Sequence, residues 1–116
     1  MKASLSNYRQ SPRKTRLVTE LVKGKTVVEA LTALKFLDKR ASTAIAKLIA
    51  SAAANAEKQG EDVSTLVVKN LRVDKGLVSK KYMPRAFGRA APIRHRASHV
   101  LVELGKASVK ASKKKK

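Results

Sequence analysis

Hydrophobic positions change their period once along this chain. Up to about residue 56 they recur at helical spacing, and from residue 63 they alternate in the manner of strands. The first helical run is SPRKTRLVTELVKG, residues 11–24, in which Ser11 suits the cap, Pro12 the first helical position and Gly24 the end. Its apolar stripe reads Leu17, Val18, Leu21 and Val22. A second helix opens on TVVE, residues 26–29, a capping box with Thr26 as cap and Glu29 three positions on. Val27, Val28, Ala30, Leu31 and Leu34 supply its apolar set. The third is the clearest: Ala41, Ala44, Ile45, Leu48, Ile49, Ala52, Ala53 and Ala56 recur at i, i+3 and i+4, and Gly60 ends it.

After this the period is two. VSTLVVKNLRV, residues 63–73, is β-branched, with Val67, Leu71 and Val73 on one face and Lys69 interrupting it. In ASHVLVEL, residues 97–104, Val100, Val102 and Leu104 share one face and His99, Leu101 and Glu103 the other. A weaker extended segment lies at Ala3–Arg9. The order β-α-α-α-β-β predicts an α+β domain, three helices packed on a small antiparallel sheet. One domain over residues 1–104 is expected, followed by a basic, disordered tail over 105–116.

Charge sharpens this picture. The chain of 116 residues carries 27 Lys and Arg against 8 Asp and Glu, a net +19, and such self-repulsion suits a polyanionic partner. Three of the cations, Arg13, Lys14 and Arg16, fall in the first turns of the first helix, against its dipole unless phosphate lies near. The helices carry core-like apolar faces, not the basic amphipathic face of a membrane-surface helix, and neither a signal peptide nor a membrane span is legible. A soluble protein working where it is made is the expectation.

Between the two strands the chain is unusual. From Lys75 to Val102 it has no acid, while Lys75, Lys80, Lys81, Arg85, Arg89, Arg94 and Arg96 supply seven cations. If the strands continue as a ribbon to a turn near Phe87-Gly88, the arm over residues 75–102 reaches roughly 40 Å at ~3.3 Å per residue. Pro84 and Pro92 bracket the tip and cannot donate ladder hydrogen bonds, so pairing is expected to loosen between them. Tyr82, Phe87 and the arginine planes offer stacking surfaces for unpaired bases, which favours structured RNA over plain duplex.

Chemistry is otherwise scarce. There is no cysteine, no nucleophile elbow and no phosphate-cradling glycine loop. His95 and His99 are four apart, but in a strand that spacing separates them by ~13 Å, so they do not suit one metal. His99 is expected to hydrogen-bond phosphate or backbone instead. No enzyme activity, cofactor or metal is expected.

Three spans carry a resemblance. SPRKTRLVTELVKGKTVVEAL at 11–31, KRASTAIAKLIASAAANAE at 39–57, and VDKG…KKYMPRAFGRA…RASHVLVEL at 73–104 resemble the bacterial-type large-subunit ribosomal protein twenty-two family. The resemblance implies a body of three helices on a small sheet with a protruding hairpin. It also implies binding to large-subunit ribosomal RNA during assembly, and an arm lining the peptide exit tunnel near its constriction. Ser11, Arg13, Lys14 and Arg16 fall in the first-helix motif. Arg96, Ser98 and His99 fall in the returning strand. Met83, Pro84, Arg85, Ala86, Phe87, Gly88, Arg89 and Ala90 form the tunnel-lining tip. With it, the expected RNA-contacting set also takes in Arg9, Lys23, Lys25, Lys39 and Arg40 in the body. On the arm it takes in Lys80, Lys81, Tyr82, Arg85, Arg89 and Arg94.

The implied partners are large-subunit ribosomal RNA, neighbouring ribosomal proteins and the nascent polypeptide, in the cytoplasm, with no membrane and no self-association. Two positions depart from the family pattern: Ala91 stands where an acid is common, and Lys75-Gly76-Leu77 where Glu-Gly-Pro is frequent. Both make the arm more basic or more flexible. The rival reading is a nucleoid architectural protein with intercalating prolines on β-ribbon arms, which would work as a dimer.

Overall fold

The structure, a computed structural model, describes residues 1–107. Strand β1 is Lys2–Tyr8, followed by helices α1 (Pro12–Val22), α2 (Val27–Phe36) and α3 (Arg40–Lys58). A single 3-10 turn leads into β2 (Leu66–Pro84), which returns as β3 (Ala90–Lys106). The three strands form an antiparallel sheet in the order β1-β3-β2, with the helices on one face. The expected α+β order β-α-α-α-β-β stands.

Capping follows the sequence. Ser11 Oγ accepts from the Lys14 N–H, and Thr26 and Glu29 make both halves of their capping box. The buried face of α1 does not follow it. Leu17 and Leu21 are 60% and 51% exposed, and the helix buries Pro12, Thr15, Val18, Thr19 and Val22. Two threonines can occupy that face because their hydroxyls are satisfied within the helix, Thr15 on the Ser11 carbonyl and Thr19 on that of Arg16. Val28 of α2 is likewise exposed, while Val27, Ala30 and Leu34 enter the core. Helix α3 buries Ala41, Ile45, Leu48, Ile49, Ala52, Ala53 and Ala56, an alanine-rich seam that lies close to its neighbours.

The core face of β2 shifts along the strand. Leu66 and Val68 are buried, then Leu71 and Val73, while Val67 is only half-buried. The reason is a bulge at Lys69: Val68 pairs with Leu104 and Asn70 with Glu103, so one extra residue reverses the alternation. Strand β3 keeps strict alternation, burying Ser98, Val100, Val102 and Leu104. Its pairing extends to Gly105–Val67 and Lys106–Leu66, so the strand runs past the expected start of the tail at residue 105. Most of the tail reading lies outside the described residues.

Beyond the body the ribbon continues. A second bulge separates Lys75–Ser98 from Val78–Arg96, leaving Gly76 and Leu77 opposite Ala97 alone. A Cβ on Gly76 would stand 3.0 Å from the Ala97 carbonyl carbon, so the close approach of the strands favours glycine there. Pairing then runs unbroken to Pro84–Ala90. The expected loosening between the prolines does not occur: Pro92 sits opposite Tyr82 inside the ladder, where the two-stranded ribbon leaves one side of β3 unpaired. The turn is only Arg85–Arg89, with Arg85 donating to the Arg89 carbonyl at 2.7 Å and Phe87 and Gly88 both at positive φ. The radius of gyration is 17.8 Å and the longest extent 62 Å, whereas a compact chain of this size has a radius near 13 Å. The arm outreaches its body.

Candidate nucleic-acid interface

Alternation along the arm assigns its two faces. The rungs Lys80–Arg94, Tyr82–Pro92 and Pro84–Ala90 share one face, and Ser79–His95, Lys81–Ile93 and Met83–Ala91 share the other. Near the root both faces are cationic. Three successive rungs from Tyr82 to Pro84 carry no charge, and Arg85 and Arg89 restore it at the tip. Every residue from Ser79 to Ala90 is exposed, Phe87 almost completely at 99%. The Lys80–Arg94 rung sets two cations directly opposite each other, an arrangement that costs energy without an anion between or beside them.

At the root of the arm the body meets the ribbon in a cleft of about 980 Å³. Arg9, Ser11, Lys14 and Arg40 line it from the body, and Lys81, Arg94 and Arg96 from the arm. The amino end of α1 opens here through Ser11 and Lys14, and its dipole adds to the side-chain charge. These seven expected contact residues, distant in sequence, are therefore brought together. The cleft also takes in Asn7, Gln10, Leu77, Ser79, His95 and Ala97. Sequence reasoning missed Gln10 and Asn7, since single polar residues beside a helix cap carry no pattern.

The remaining candidates are dispersed. Arg16 and Lys23 line a smaller groove between α1 and β2, together with Arg72. Here Arg16 has a structural task, its Nε and Nη2 donating to the Val73 carbonyl at 3.3 and 3.0 Å. Arg13 is exposed on α1, and Lys25 and Lys39 are exposed in the connections flanking α2. Ser98 is wholly buried in the core face, its hydroxyl without a partner, and so offers no side chain to RNA in this conformation. His99 accepts the Asn7 N–H on Nδ1 at 3.1 Å, the backbone partner anticipated for it.

Acids are kept out of this surface. In the sheet, Glu103 accepts from Lys2 at 3.0 Å and Asp74 from Arg72 at 2.9 Å. The Lys2 hydrogen bond and charge hold the Glu103 carboxyl below its ordinary range. Among the described residues, no group of His, Asp or Glu is placed to hold a metal ion. No helix among them is long and apolar enough to cross a membrane.

Fold and surface together define a class: small basic α+β proteins that carry a long cationic β-ribbon. A family model described as ribosomal protein L22p/L17e matches residues 3–105, and the chain belongs to that family. Among similar proteins is the large ribosomal subunit protein uL22 of Pelobacter propionicus, 50% identical over 103 residues, covering 88% of this chain and 93% of that one. The protein of the same name from Anaeromyxobacter sp. (strain Fw109-5) is 51% identical, covering 90% of this chain and 74% of its own. That of Geobacter sulfurreducens is 48% identical over 88% and 93%.

Proposed function

We propose that this chain is a structural component of the large ribosomal subunit that binds ribosomal RNA through the arm-root cleft and both faces of the arm. Family membership over residues 3–105 is the observation that carries this reading. The physical case is the grouping of Arg9, Lys14, Arg40, Lys81, Arg94 and Arg96 around one cleft, and a ribbon holding like charges on neighbouring rungs. Both arrangements are stable against a polyanion and strained without one. Residues 1–106 then act as one RNA-binding unit, in the cytoplasm of a bacterium, without catalysis or self-association.

The arm has the length to leave the body and reach a distant RNA surface. In this reading its tip, Met83–Ala90, lines the peptide exit tunnel near the constriction, where neighbouring ribosomal proteins and the nascent chain are its partners. The charge-free rungs between Tyr82 and Pro84 suit packing against bases or apolar side chains more than phosphate.

Sedimentation of tagged chain from cells tests the central statement. It should travel with the large-subunit peak through a high-salt wash, and recovery as a free dimer on chromosomal DNA would overturn it. For the tip, a photocrosslinker at position 87 should label the nascent chain in stalled complexes; labelling confined to surface proteins of the subunit would refute the tunnel placement.

A further inference from the structure

The arm-root cleft holds more than charge. Cations alone would suffice for a phosphate backbone, yet two other chemistries are built into the wall. Leu77 is 76% exposed because the bulge at Gly76–Leu77 turns it out of the ladder and into the cleft. Gln10 lies on the body side, and its Oε1 is buried with no hydrogen-bond partner. An enclosed amide oxygen without a donor is a costly state that native proteins rarely leave unanswered. The terminal amide torsion of glutamine is soft, so the oxygen can turn to a donor that enters the cleft.

An apolar platform, an amide lacking a donor and a ring of cations correspond to the three parts of a nucleotide: base face, base edge and phosphate. We propose that this cleft holds one unpaired nucleotide whose base bears an exocyclic amine, read by the Gln10 carboxamide. The proposal rests on RNA being the ligand, as inferred above. Arg9, Lys14, Arg94 and Arg96 hold its phosphates, and the base lies against Leu77. The volume of about 980 Å³ accommodates a ligand of that size, where a phosphate group alone would leave most of it unfilled. Adenine fits the edge best. Its N6 amine meets the amide oxygen and its N7 accepts from the amide nitrogen, the pairing by which glutamine reads adenine in nucleic acids. Uracil offers no such amine.

The test compares short oligoadenylate with the same oligomer built from purine riboside, which lacks only the exocyclic amine and keeps the stacking surface. Binding to the full chain is followed by fluorescence anisotropy. The wild-type chain should bind oligoadenylate roughly tenfold more tightly. Gln10→Leu should bind both oligomers equally, and no more tightly than wild type binds the purine riboside form, with its folding checked by thermal unfolding. Equal wild-type affinities overturn the proposal without need of any variant, and so does a preference that survives in a folded Gln10→Leu. Either result, with steep salt dependence retained, leaves phosphate-dominated RNA binding standing. Loss of all salt-dependent binding would overturn both.

Discussion

The backbone N–H of Asn7 donates to Nδ1 of His99 at 3.1 Å, closing a bulge near the end of β1. Leu5 pairs with Val100 and Tyr8 with Ser98, so Ser6 and Asn7 together face His99, with Asn7 at φ 53°. The bulge frees one amide from the ladder, and the imidazole takes it. Replacing His99 by alanine is expected to cost about 0.5–1.5 kcal/mol, the net worth of one such hydrogen bond. Chemical denaturation measures it, and hydrogen exchange should quicken at Asn7 while Val100 and Val102 keep their protection. Unchanged exchange at Asn7 would show that the bond does not hold the strand.

Arg16 and Arg13 sit one helical turn apart but should behave differently. Arg16 grips the Val73 carbonyl with two N–H groups, and Arg13 is exposed on the helix surface. Arg16→Ala is predicted to lower stability by about 1 kcal/mol, reduced from the value for a buried charged hydrogen bond by its exposure. Arg13→Ala should lie within about 0.5 kcal/mol of wild type. Arg16→Lys should fail to restore the loss, because a point ammonium cannot reproduce the guanidinium fork. Urea midpoints of the three variants decide the matter.

Gly76 lies in the bulge where the arm leaves the body. An added Cβ would lie 3.0 Å from the carbonyl carbon and 3.1 Å from the oxygen of Ala97, backbone atoms that cannot swing aside. Gly76→Ala should therefore cost about 1–3 kcal/mol and disturb cross-strand contacts at Lys75–Ser98 and Val78–Arg96, visible as lost nuclear Overhauser effects. Gly105 is the control. Its added Cβ would meet only the flexible Lys69 side chain, so Gly105→Ala should change little.

The face of α1 can be tested by comparing apolar positions of similar type. Ile49, fully buried in the core, should lose about 2–5 kcal/mol on truncation to alanine. Leu17→Ala and Leu21→Ala should each stay within about 0.5 kcal/mol of wild type, since both side chains are already exposed. A loss of several kcal/mol at Leu17 would mean that the helix is turned the other way.

Acid should weaken the fold through two carboxyls. Glu103 is held below its ordinary pKa by Lys2, and Asp62 by the side chain and backbone N–H of Ser64. A carboxyl depressed in the folded state stabilises it above the unfolded pKa, and that contribution is lost as pH falls through the folded value. Stability should thus decline below about pH 4.3 for Glu103, with the Asp62 contribution fading somewhat lower. In Glu103→Gln the decline should be shallower between neutral and acidic pH, as read from denaturant midpoints; an identical slope would rule out the Lys2 pairing as its source.

Much of the body was legible in the residues. Ser11, Thr26 and Glu29 announce their caps because capping needs only atoms within one turn. Helix α3 and the body half of strand β3, Ser98–Leu104, follow their periods because one face of each is pressed against the core. Where the reading slipped, a distant partner decided. The stripe on α1 turned because Thr15 and Thr19 satisfy their hydroxyls on the helix itself and so enter the core as small, quiet residues. Val67 left the core face because Lys69 adds one residue to its strand, and nothing in β2 alone marks a bulge that exists only relative to β3.

For the functional surface the division falls along the same line. By itself the sequence determined that the surface is strongly cationic, as suits a polyanion, and that residues 75–102 form a cationic excursion, since net charge and the absence of acids are properties of composition. Only the tertiary structure decided that Arg9, Lys14 and Arg40 face Lys81, Arg94 and Arg96 across one cleft, and that Leu77 and Gln10 share it. It also withdrew Ser98 into the core and set Arg16 to hold β2. Charge sums along a chain wherever the chain goes, whereas a cleft depends on which strands pair and where a single bulge reverses their faces.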